Sequence, residues 1–184
     1  MVPGRGVVHT VRQARAGDAP ALPDIERSAA GAFRAVAGLG WIADGPVQDE
    51  QAHRAMIAAG DAFVAVDAAD MPVGFVNGAV LGDAFHVREM SVHADWQRRG
   101  IGRALVVAVR AHAERLGLCA VTLTTFRDVP WNGPFYRRLG FVELPPEAVS
   151  APLRAVLAEE AASGLPVARR CAMRLNLLAG GEGA

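Results

Sequence analysis

A glycine-rich run between a strand-like segment and a long amphipathic segment is the strongest chemical signal in the sequence. Its members are Gln97, Arg98, Arg99, Gly100, Ile101, Gly102 and Arg103. Glycine has no side chain, so the main chain at Gly100 and Gly102 can approach a ligand closely. The first N–H groups of the following helix lack partners within the helix, and together with the helix dipole they favour a bound phosphate. With three arginines beside it, the run predicts a site for a phosphorylated ligand.

The spacing of this run separates it from two familiar phosphate motifs. A Rossmann fingerprint requires a third small residue where this chain has Leu105, and the sequence has no Gly-Lys-Ser/Thr of a P-loop. Gln97-x-x-Gly100-x-Gly102 instead has the spacing Q/R-x-x-G-x-G/A. That pattern resembles the acetyl-CoA pyrophosphate loop of the GCN5-related N-acetyltransferase (GNAT) superfamily. The resemblance implies that residues 97–103 bind the pyrophosphate of acetyl-CoA.

A second motif, over residues 124–141, resembles the strand-to-helix segment of bacterial GNAT enzymes, in which N-x-x-x-x-Y/F-x-x-x-G-F recurs. Six positions carry the residue type that the family has there: Asn132, Phe135, Tyr136, Leu139, Gly140 and Phe141. The gap between Asn132 and Tyr136 is slightly shorter than the family often has, and it places both on one helix face. The resemblance implies that Asn132 contacts the CoA backbone, and a helix N-cap is the alternative.

Tyr136 is the only tyrosine of the chain and falls at the family's general-acid position. A thioester loses a thiolate when an amine attacks it. The unperturbed pKa is about 8.5 for a thiol and about 10 for a tyrosine, so a tyrosine hydroxyl beside the sulfur can supply a hydrogen bond or proton to the leaving thiolate. We therefore predict that Tyr136 is catalytic and contacts the cosubstrate. The alternative is a core aromatic ring whose hydroxyl is merely satisfied.

The strand before the glycine run supplies the other half of the predicted site. In the family, main-chain N–H groups near the end of this strand polarise the thioester carbonyl as a small oxyanion hole. The resemblance assigns this role to Val92, with Met90 beside it. The incoming ammonium must lose a proton, and Glu89 is the carboxylate nearest this position, so we predict that Glu89 is the base. An ion pair of Glu89 with Arg88 or Arg127 is the alternative.

Two histidines and three tryptophans complete the set of candidates. Strand alternation places His86 on the face opposite Glu89, and His93 on the same face. Both are rival bases, as is a water chain, although a lone histidine on a strand is more often structural. Two tryptophans are candidate walls of an acceptor pocket and a third, before the glycines, is expected to pack: Trp41, Trp131 and Trp96 respectively.

The composition describes a globular protein without a dominant charge. The chain has 184 residues, of which 52% are hydrophobic, enough for one domain with a sizeable core. Its 19 Lys and Arg balance 19 Asp and Glu, which argues against a nucleic-acid partner. The sequence has no apolar run that could span a bilayer, and its first ten residues lack a signal-peptide pattern, so we expect a cytoplasmic protein without a membrane partner. Cys119 and Cys171 form no metal motif, so we expect no metal and two reduced, buried cysteines.

The order of predicted elements resembles the GNAT fold, an α/β (α+β) arrangement in which a central mixed, twisted sheet has splayed parallel strands and helices on both faces. Strands are expected over Val7–Ala14, Ala62–Val66, Val73–Leu81, Phe85–His93, Cys119–Thr125, from Phe141, and over Ala168–Leu177. Helices are expected after a cap at Asp18 and over Asp49–Ala59, Arg103–Leu116, Pro130–Leu139 and about Leu153–Ala162. The strand, glycine turn, helix and strand around the first motif form a βαβ unit, which predicts two parallel strands.

We expect a single domain over residues 1–184, with a helical insert at about 145–165 that serves as a lid, a dimer contact or a substrate-selecting element. The two motifs together predict an acetyl-CoA-dependent N-acyltransferase that moves an acetyl group directly to a primary amine of a small or medium-sized acceptor. Acetyl-CoA is then the cosubstrate, and a homodimer is one of the oligomeric states that the sequence allows. One alternative is a non-catalytic CoA-binding or regulatory module on the same fold, which leaves Tyr136 and the candidate base without a role. Another is a nucleotide or phosphate-metabolite binder, which leaves the second motif unexplained.

Overall fold

The computed structural model describes residues 9–177. Within them, seven strands form a mixed sheet in the order β1-β2-β3-β4-β5-β7-β6. The strands are β1 Thr10–Gln13, β2 Ala62–Val66, β3 Pro72–Leu81, β4 Ala84–Val92, β5 Ala120–Phe126, β6 Val142–Glu143 and β7 Arg170–Asn176. The helices are α1 Leu22–Ala30, α2 Glu50–Ala58, α3 Ile101–Arg115, α4 Gly133–Arg138 and α5 Ala151–Ala162. The predicted fold class is confirmed. Val7 and Val8 of the first predicted strand lie outside the described residues, as do most of the first ten residues, which were expected to lack a signal peptide.

The first of two compact units runs to Gly78 and continues from Glu89 to Val109. Its strands β1, β2 and β3 pair antiparallel, with Val64 opposite Phe75. Alternate residues of β2 point to one face, where α1 and α2 add their own apolar side chains. The buried cluster that results contains Ala14, Leu22, Ile25, Ala62, Val64, Val66 and Phe75. This packing of two amphipathic helices on a hairpin is the core of the first unit.

The second unit contains Ala79–Arg88 and continues from Arg110. Here β4 and β5 run parallel, from Ala84 opposite Ala120 to Val87 opposite Leu123, which confirms the predicted βαβ pairing. Strand β7 pairs antiparallel with both β5 and β6. The insert forms α5, whose first turn is capped by the Ser150 hydroxyl, which accepts the Leu153 N–H at 3.5 Å. Leu153 packs against the sheet at Ala172, so the insert belongs to the core of this unit.

The predicted starts of three helices differ from the structure, and one of these is α4, which begins at Gly133 rather than Pro130. Asp18 does not cap α1. It lies within a 3₁₀ segment, Ala16–Ala21, because Arg12 and the main-chain N–H of Arg15 both bind its carboxylate. Helix α3 begins at Ile101 rather than Arg103, since the Ala104 N–H already bonds to the Gly100 carbonyl at 3.0 Å.

The expectation of two buried cysteines is half wrong. Cys171 is buried within β7, and burial raises the pKa of its thiol to about 11. Cys119 is exposed, because it lies just before β5 rather than within it. Its N–H donates to the Asp83 carbonyl in the turn before β4. Both thiols are free.

Over residues 9–177, no helix combines the length and the apolar character needed to cross a bilayer.

Asp18 offers a test of the packing at the start of the first unit. Two N–H groups of the Arg12 guanidinium donate to the two carboxylate oxygens of Asp18 at 2.8 and 2.9 Å, and Asp18 is 6% exposed. Burial by itself would raise the pKa of Asp18, but the hydrogen bonds from Arg12 and from the Arg15 main chain outweigh it and hold the pKa below its usual value. We expect Asp18→Asn to lower the free energy of unfolding by about 2 kcal/mol at pH 7, because a charge-assisted pair is lost.

The sign of the pH dependence follows from the lowered pKa. The contribution of the Asp18 carboxylate is present above its unfolded pKa and is lost as pH falls through the folded one. Urea unfolding of both proteins from pH 7 downwards measures this, and the two stabilities should converge in acid. Asp24→Asn, at an exposed carboxylate of α1, is the matched control. A stability difference that stays constant down to the acid transition would show that the charge of Asp18 contributes nothing.

Candidate active site

The predicted anion loop leads from the end of β4 into α3. The Gln97 side chain turns back, and its Nε2 donates to the Val92 carbonyl at 3.0 Å. Arg98 and Gly100 both have left-handed backbone, with φ of 62° and 81°. Glycine adopts this conformation without strain, and a Cβ at Gly100 would meet no heavy atom within 4 Å. The N-terminus of the 15-residue α3 therefore follows directly on an exposed loop.

The base of this loop is held by side chains on either side of it. Arg99 lies over the Trp96 ring, 5.0 Å from its centroid, so Trp96 packs as predicted. Ser28 of α1 accepts the Ala94 N–H at 3.0 Å. His93 occupies the cap of the 3₁₀ turn Ala94–Trp96, where its Nδ1 accepts the Asp95 N–H at 3.3 Å. These bonds give His93 a role in the turn, which weakens its candidacy as a base.

Glu89 lies partly buried near the end of β4, where Met90 and Val92 are partly buried too. Its carboxylate accepts a hydrogen bond from the Ser91 hydroxyl at 2.8 Å. Burial and then the charge of Glu26 raise the pKa of Glu89 to about 7, against the lowering effects of the Ser91 bond, the Met90 main chain and His53. A carboxyl group with such a pKa can both take and release a proton at neutral pH.

The alternative of an ion pair for Glu89 is wrong for the residues that the structure describes. Arg127 instead pairs with Glu143 at 2.7 Å and donates to the Ala168 carbonyl. Arg88 is exposed and makes no ion pair with Glu89.

His86, the other rival base, belongs to the second unit and lines a cavity of about 270 Å³ there. Its Nδ1 lies 3.2 Å from the Thr122 hydroxyl. Burial lowers the pKa of His86 to about 4, opposed by the charge of Glu160 and helped by that of Arg88. His86 is therefore neutral at physiological pH and a weak base.

The same cavity is lined by charged side chains of α5 and β4. Glu160 is fixed there by Arg170, which binds it at 2.6 and 3.0 Å, and by the Thr124 hydroxyl. Glu159 and Arg88 stand at the exposed part of the lining. The insert thus contributes two carboxylates, those of Glu159 and Glu160, to the lining of this cavity. The sequence had not indicated this role for the insert.

The second motif contains α4, where Tyr136 is buried and Asn132 is partly buried. Asn132 is the residue before α4, yet its side chain makes no cap hydrogen bond. Its Oδ1 is buried and has no hydrogen-bond partner among residues 9–177, which favours a ligand-binding role over the capping role. Tyr136 is 7% exposed, and its ring packs at 5.1 Å from Phe135 and 5.5 Å from Phe141.

The predicted site residues divide between the two compact units of the chain. Glu89, Met90, Val92 and the loop of residues 97–103 belong to the first unit, whereas Asn132 and Tyr136 belong to the second. Trp41 and Trp131 are 48% and 41% exposed, so neither is a core residue, and neither lines the cavity at His86. No group of three or more His, Cys, Asp or Glu within residues 9–177 could hold a metal ion.

The sequence analysis did not single out Ser91, which donates to Glu89, or the pair of Glu26 and His53. Nothing in the spacing of these residues marks them as neighbours. The sequence analysis also assigned no structural role to Gly133, although an Asn-Gly pair is a recognised turn signal.

A family model described as the acetyltransferase (GNAT) domain matches residues 58–143, which include the loop, Glu89 and Tyr136. This part of the chain matches a GNAT acetyltransferase domain. This confirms the resemblance drawn from the two motifs. The matched range begins in α2 and ends with β6, so it leaves out α5 and β7.

Solved structures share the fold of this GNAT domain over nearly the whole chain. The ribosomal-protein-S18-alanine N-acetyltransferase from Escherichia coli is 20% identical, with a TM-score of 0.65, and the match covers 96% of this chain and 99% of that one. PaiA N-acetyltransferase from Thermoplasma acidophilum, in complex with coenzyme A, is 12% identical, with a TM-score of 0.68 over 92% and 99%. Rv2747 from Mycobacterium tuberculosis, also in complex with CoA, is 24% identical, with a TM-score of 0.66 over 92% and 99%. At these identities the structures establish the fold.

Gly133 tests how tightly the start of α4 is built. A Cβ there would lie 2.6 Å from the Arg127 carbonyl oxygen and 2.9 Å from that of Phe126. Since both are main-chain atoms, we expect Gly133→Ala to lower the free energy of unfolding by about 1–3 kcal/mol, as overpacking does. Thermal unfolding should show a loss of several degrees, at about 2–4 °C for each kcal/mol.

The matched control for this substitution is Gly17→Ala, where an added Cβ meets nothing within 4 Å. Equal melting temperatures for the two variants would show that α4 can shift away from β5 at no cost.

Proposed function

We propose that this GNAT domain is an acetyl-CoA-dependent N-acetyltransferase that moves the acetyl group directly to a primary amine of a small or medium-sized acceptor. The observation that carries the proposal is the exposed N-terminus of α3 behind the left-handed Arg98 and Gly100. Free N–H groups, a helix dipole and arginine side chains at one place suit a pyrophosphate. The family of the domain makes acetyl-CoA the natural candidate for the molecule that carries it.

Several side chains and main-chain groups of the chain suit that cosubstrate. The run from Gln97 to Arg103 would hold the pyrophosphate through main-chain N–H groups, with Arg98, Arg99 and Arg103 exposed to add charge. The buried, unpaired Oδ1 of Asn132 would accept a hydrogen bond from the CoA backbone. Acetyl-CoA, when bound, supplies a thioester whose acetyl carbon the amine attacks.

Proton transfers complete the reaction. The acceptor ammonium gives a proton to Glu89, directly or through water, and its nitrogen then forms the new N–C bond. A pKa of about 7 suits Glu89 to this task at neutral pH. As the C–S bond breaks, the Tyr136 hydroxyl supplies a proton to the leaving thiolate. The second proton that the acceptor nitrogen loses, as it becomes an amide nitrogen, restores the hydroxyl. Main-chain N–H groups at Met90 and Val92 would stabilise the charge on the carbonyl oxygen.

The acceptor is proposed to be compact. The balanced charge of the chain gives little steering toward a strongly charged polymer. We therefore propose a small-molecule amine partner rather than a nucleic acid, and a cytoplasmic location without a membrane partner.

Acetyl-CoA affinity tests the loop. Gly102 is the second residue of α3, and a carboxylate there would repel the phosphates and obstruct their approach. We expect Gly102→Asp to raise the Kd of acetyl-CoA at least about tenfold, measured by calorimetry. Val107→Asp adds the same charge on the exposed face of the same helix and should leave the Kd nearly unchanged. Equal affinities of Gly102→Asp and the wild type would remove the loop from the binding site.

Thiol release with a panel of primary amines tests catalysis, and Tyr136→Phe tests the general acid. The phenylalanine keeps the ring packing on Phe135 and Phe141 and removes only the proton donor. We expect kcat to fall about a hundredfold, at the low end for acid catalysis, while acetyl-CoA affinity is nearly kept. An unchanged kcat would make the hydroxyl structural. A protein that binds acetyl-CoA but releases no thiol with any amine would instead be a non-catalytic CoA-binding module.

A further inference from the structure

The cavity of about 270 Å³ in the second unit has no role in the proposed reaction. All of its lining residues belong to that unit, and none of them is assigned above to acetyl-CoA or to a proton transfer. One water molecule occupies about 30 Å³ in the liquid, so the cavity can hold a molecule of several heavy atoms. It is therefore a candidate site for a small ligand.

Two parallel strands form the floor of this cavity. The register of the sheet places His86 of β4 opposite Thr122 of β5. Because alternate residues of a strand point to the same face, Arg88 shares the face of His86, and Thr124 shares the face of Thr122. His86, Arg88 and Thr124 all line the cavity. The floor therefore presents an imidazole, a guanidinium and a hydroxyl on one face of the sheet.

Helix α5 of the insert forms another wall. Val156, Glu159 and Glu160 are spaced i, i+3 and i+4, so they share one face of the helix, and all three line the cavity. The Glu160 carboxylate is already engaged, because Arg170 donates to both of its oxygens and the Thr124 hydroxyl donates to one. These bonds hold α5 to the sheet, and the charge of Arg170 offsets that of Glu160.

Two opposite charges at the cavity have no such partner. Arg88 and Glu159 are both exposed and both line it. Neither side chain makes an ion pair or a hydrogen bond with any residue in the range 9–177. A positive and a negative group at one small cavity are therefore both available to a ligand.

His86 supplies an independent indication that a ligand binds here. Its side chain is 4% exposed, and its Nδ1 lies 3.2 Å from the Thr122 hydroxyl. Its Nε2 has no hydrogen-bond partner in the described part of the chain. Buried polar atoms nearly always have a partner, and a molecule in the cavity that His86 lines would provide one. Burial lowers the pKa of His86 to about 4, so the ring offers a hydrogen bond and no charge.

We propose that this cavity binds a compact zwitterion, a molecule that carries one carboxylate and one ammonium group, as free amino acids do. The Arg88 guanidinium binds the carboxylate through two N–H groups, and the Glu159 carboxylate accepts the ammonium N–H groups. His86 Nε2 makes a further hydrogen bond to the ligand. The apolar part of the lining, which includes Leu81 and Val156, suits a short aliphatic side chain. The proposal concerns binding alone and does not rest on the proposed function.

The experiment follows the His86 Nε2 signal by long-range ¹H–¹⁵N NMR in the protein without acetyl-CoA, with the signal assigned by its loss in His86→Gln. L-valine is the probe. Isobutylamine lacks its carboxylate, and isovalerate lacks its ammonium group. We expect valine to shift the signal saturably and each single-charge analogue to bind at least about tenfold more weakly. 4-Aminobutanoate, a zwitterion with a wider spacing of charges, distinguishes ω-amino acids from α-amino acids.

Two variants separate the roles of the charges. Arg88→Gln should raise the Kd of valine at least about tenfold and leave that of isobutylamine nearly unchanged. Glu159→Gln should weaken valine to a similar extent and leave isovalerate nearly unchanged. Arg138→Gln and Glu147→Gln remove exposed charges of the same unit that do not line the cavity, so both should bind valine as the wild type does. A general electrostatic effect would not produce this crossed pattern.

The proposal is overturned if neither valine nor 4-aminobutanoate shifts the His86 signal saturably, or if valine keeps its wild-type affinity in both Arg88→Gln and Glu159→Gln. Calorimetry with the same ligands measures the affinities independently of the imidazole signal. Both readouts are taken without acetyl-CoA, so failure to acetylate any amine would refute the proposed function and leave this result unaffected.

Discussion

The hydrogen bond from the Gln97 side chain to the Val92 carbonyl sets the geometry on which the candidate site depends. Val92 is the last residue of β4, so its carbonyl lies where the main chain leaves the sheet. By satisfying that group, Gln97 brings the chain back toward the strand before it turns into α3. The left-handed Gly100 then completes the reversal. The direction in which α3 presents its free N–H groups therefore follows from how β4 ends.

That arrangement also explains how the candidate base Glu89 and the anion loop of residues 97–103 can lie so close together in sequence. Glu89 and Gly100 lie on either side of Val92 in sequence, and Ser91 and Ser28 tie the segment to Glu89 and to α1 respectively. A strand that stopped elsewhere would leave these groups in solvent. Burial at this point raises the pKa of Glu89 to about 7, so the position that orders the loop also makes the carboxyl useful as a base.

The sequence predicted the main elements because their signals are local. The βαβ pairing of β4 with β5 followed from a glycine turn and one amphipathic helix. The helix expected over Asp49–Ala59 is α2, which the Asp49 side chain caps by accepting the Ala52 N–H at 2.8 Å. Asp18 misled the prediction for α1, because the competing partner Arg12 lies on a strand and local pattern cannot see it. The exposure of Cys119 was missed for a similar reason, since a single apolar neighbourhood does not mark where a strand begins.

The chemical surroundings of the site were harder to predict than its motif residues, since they depend on tertiary contacts. Nothing in the spacing of Glu26 and His53 indicates that α1 and α2 would place them 3.6 Å apart. A buried carboxylate beside a buried imidazole costs desolvation energy, and a well-packed apolar pair of similar volume would often be as stable or more so. A fold that contains the pair of Glu26 and His53 therefore gives up stability inside the first unit.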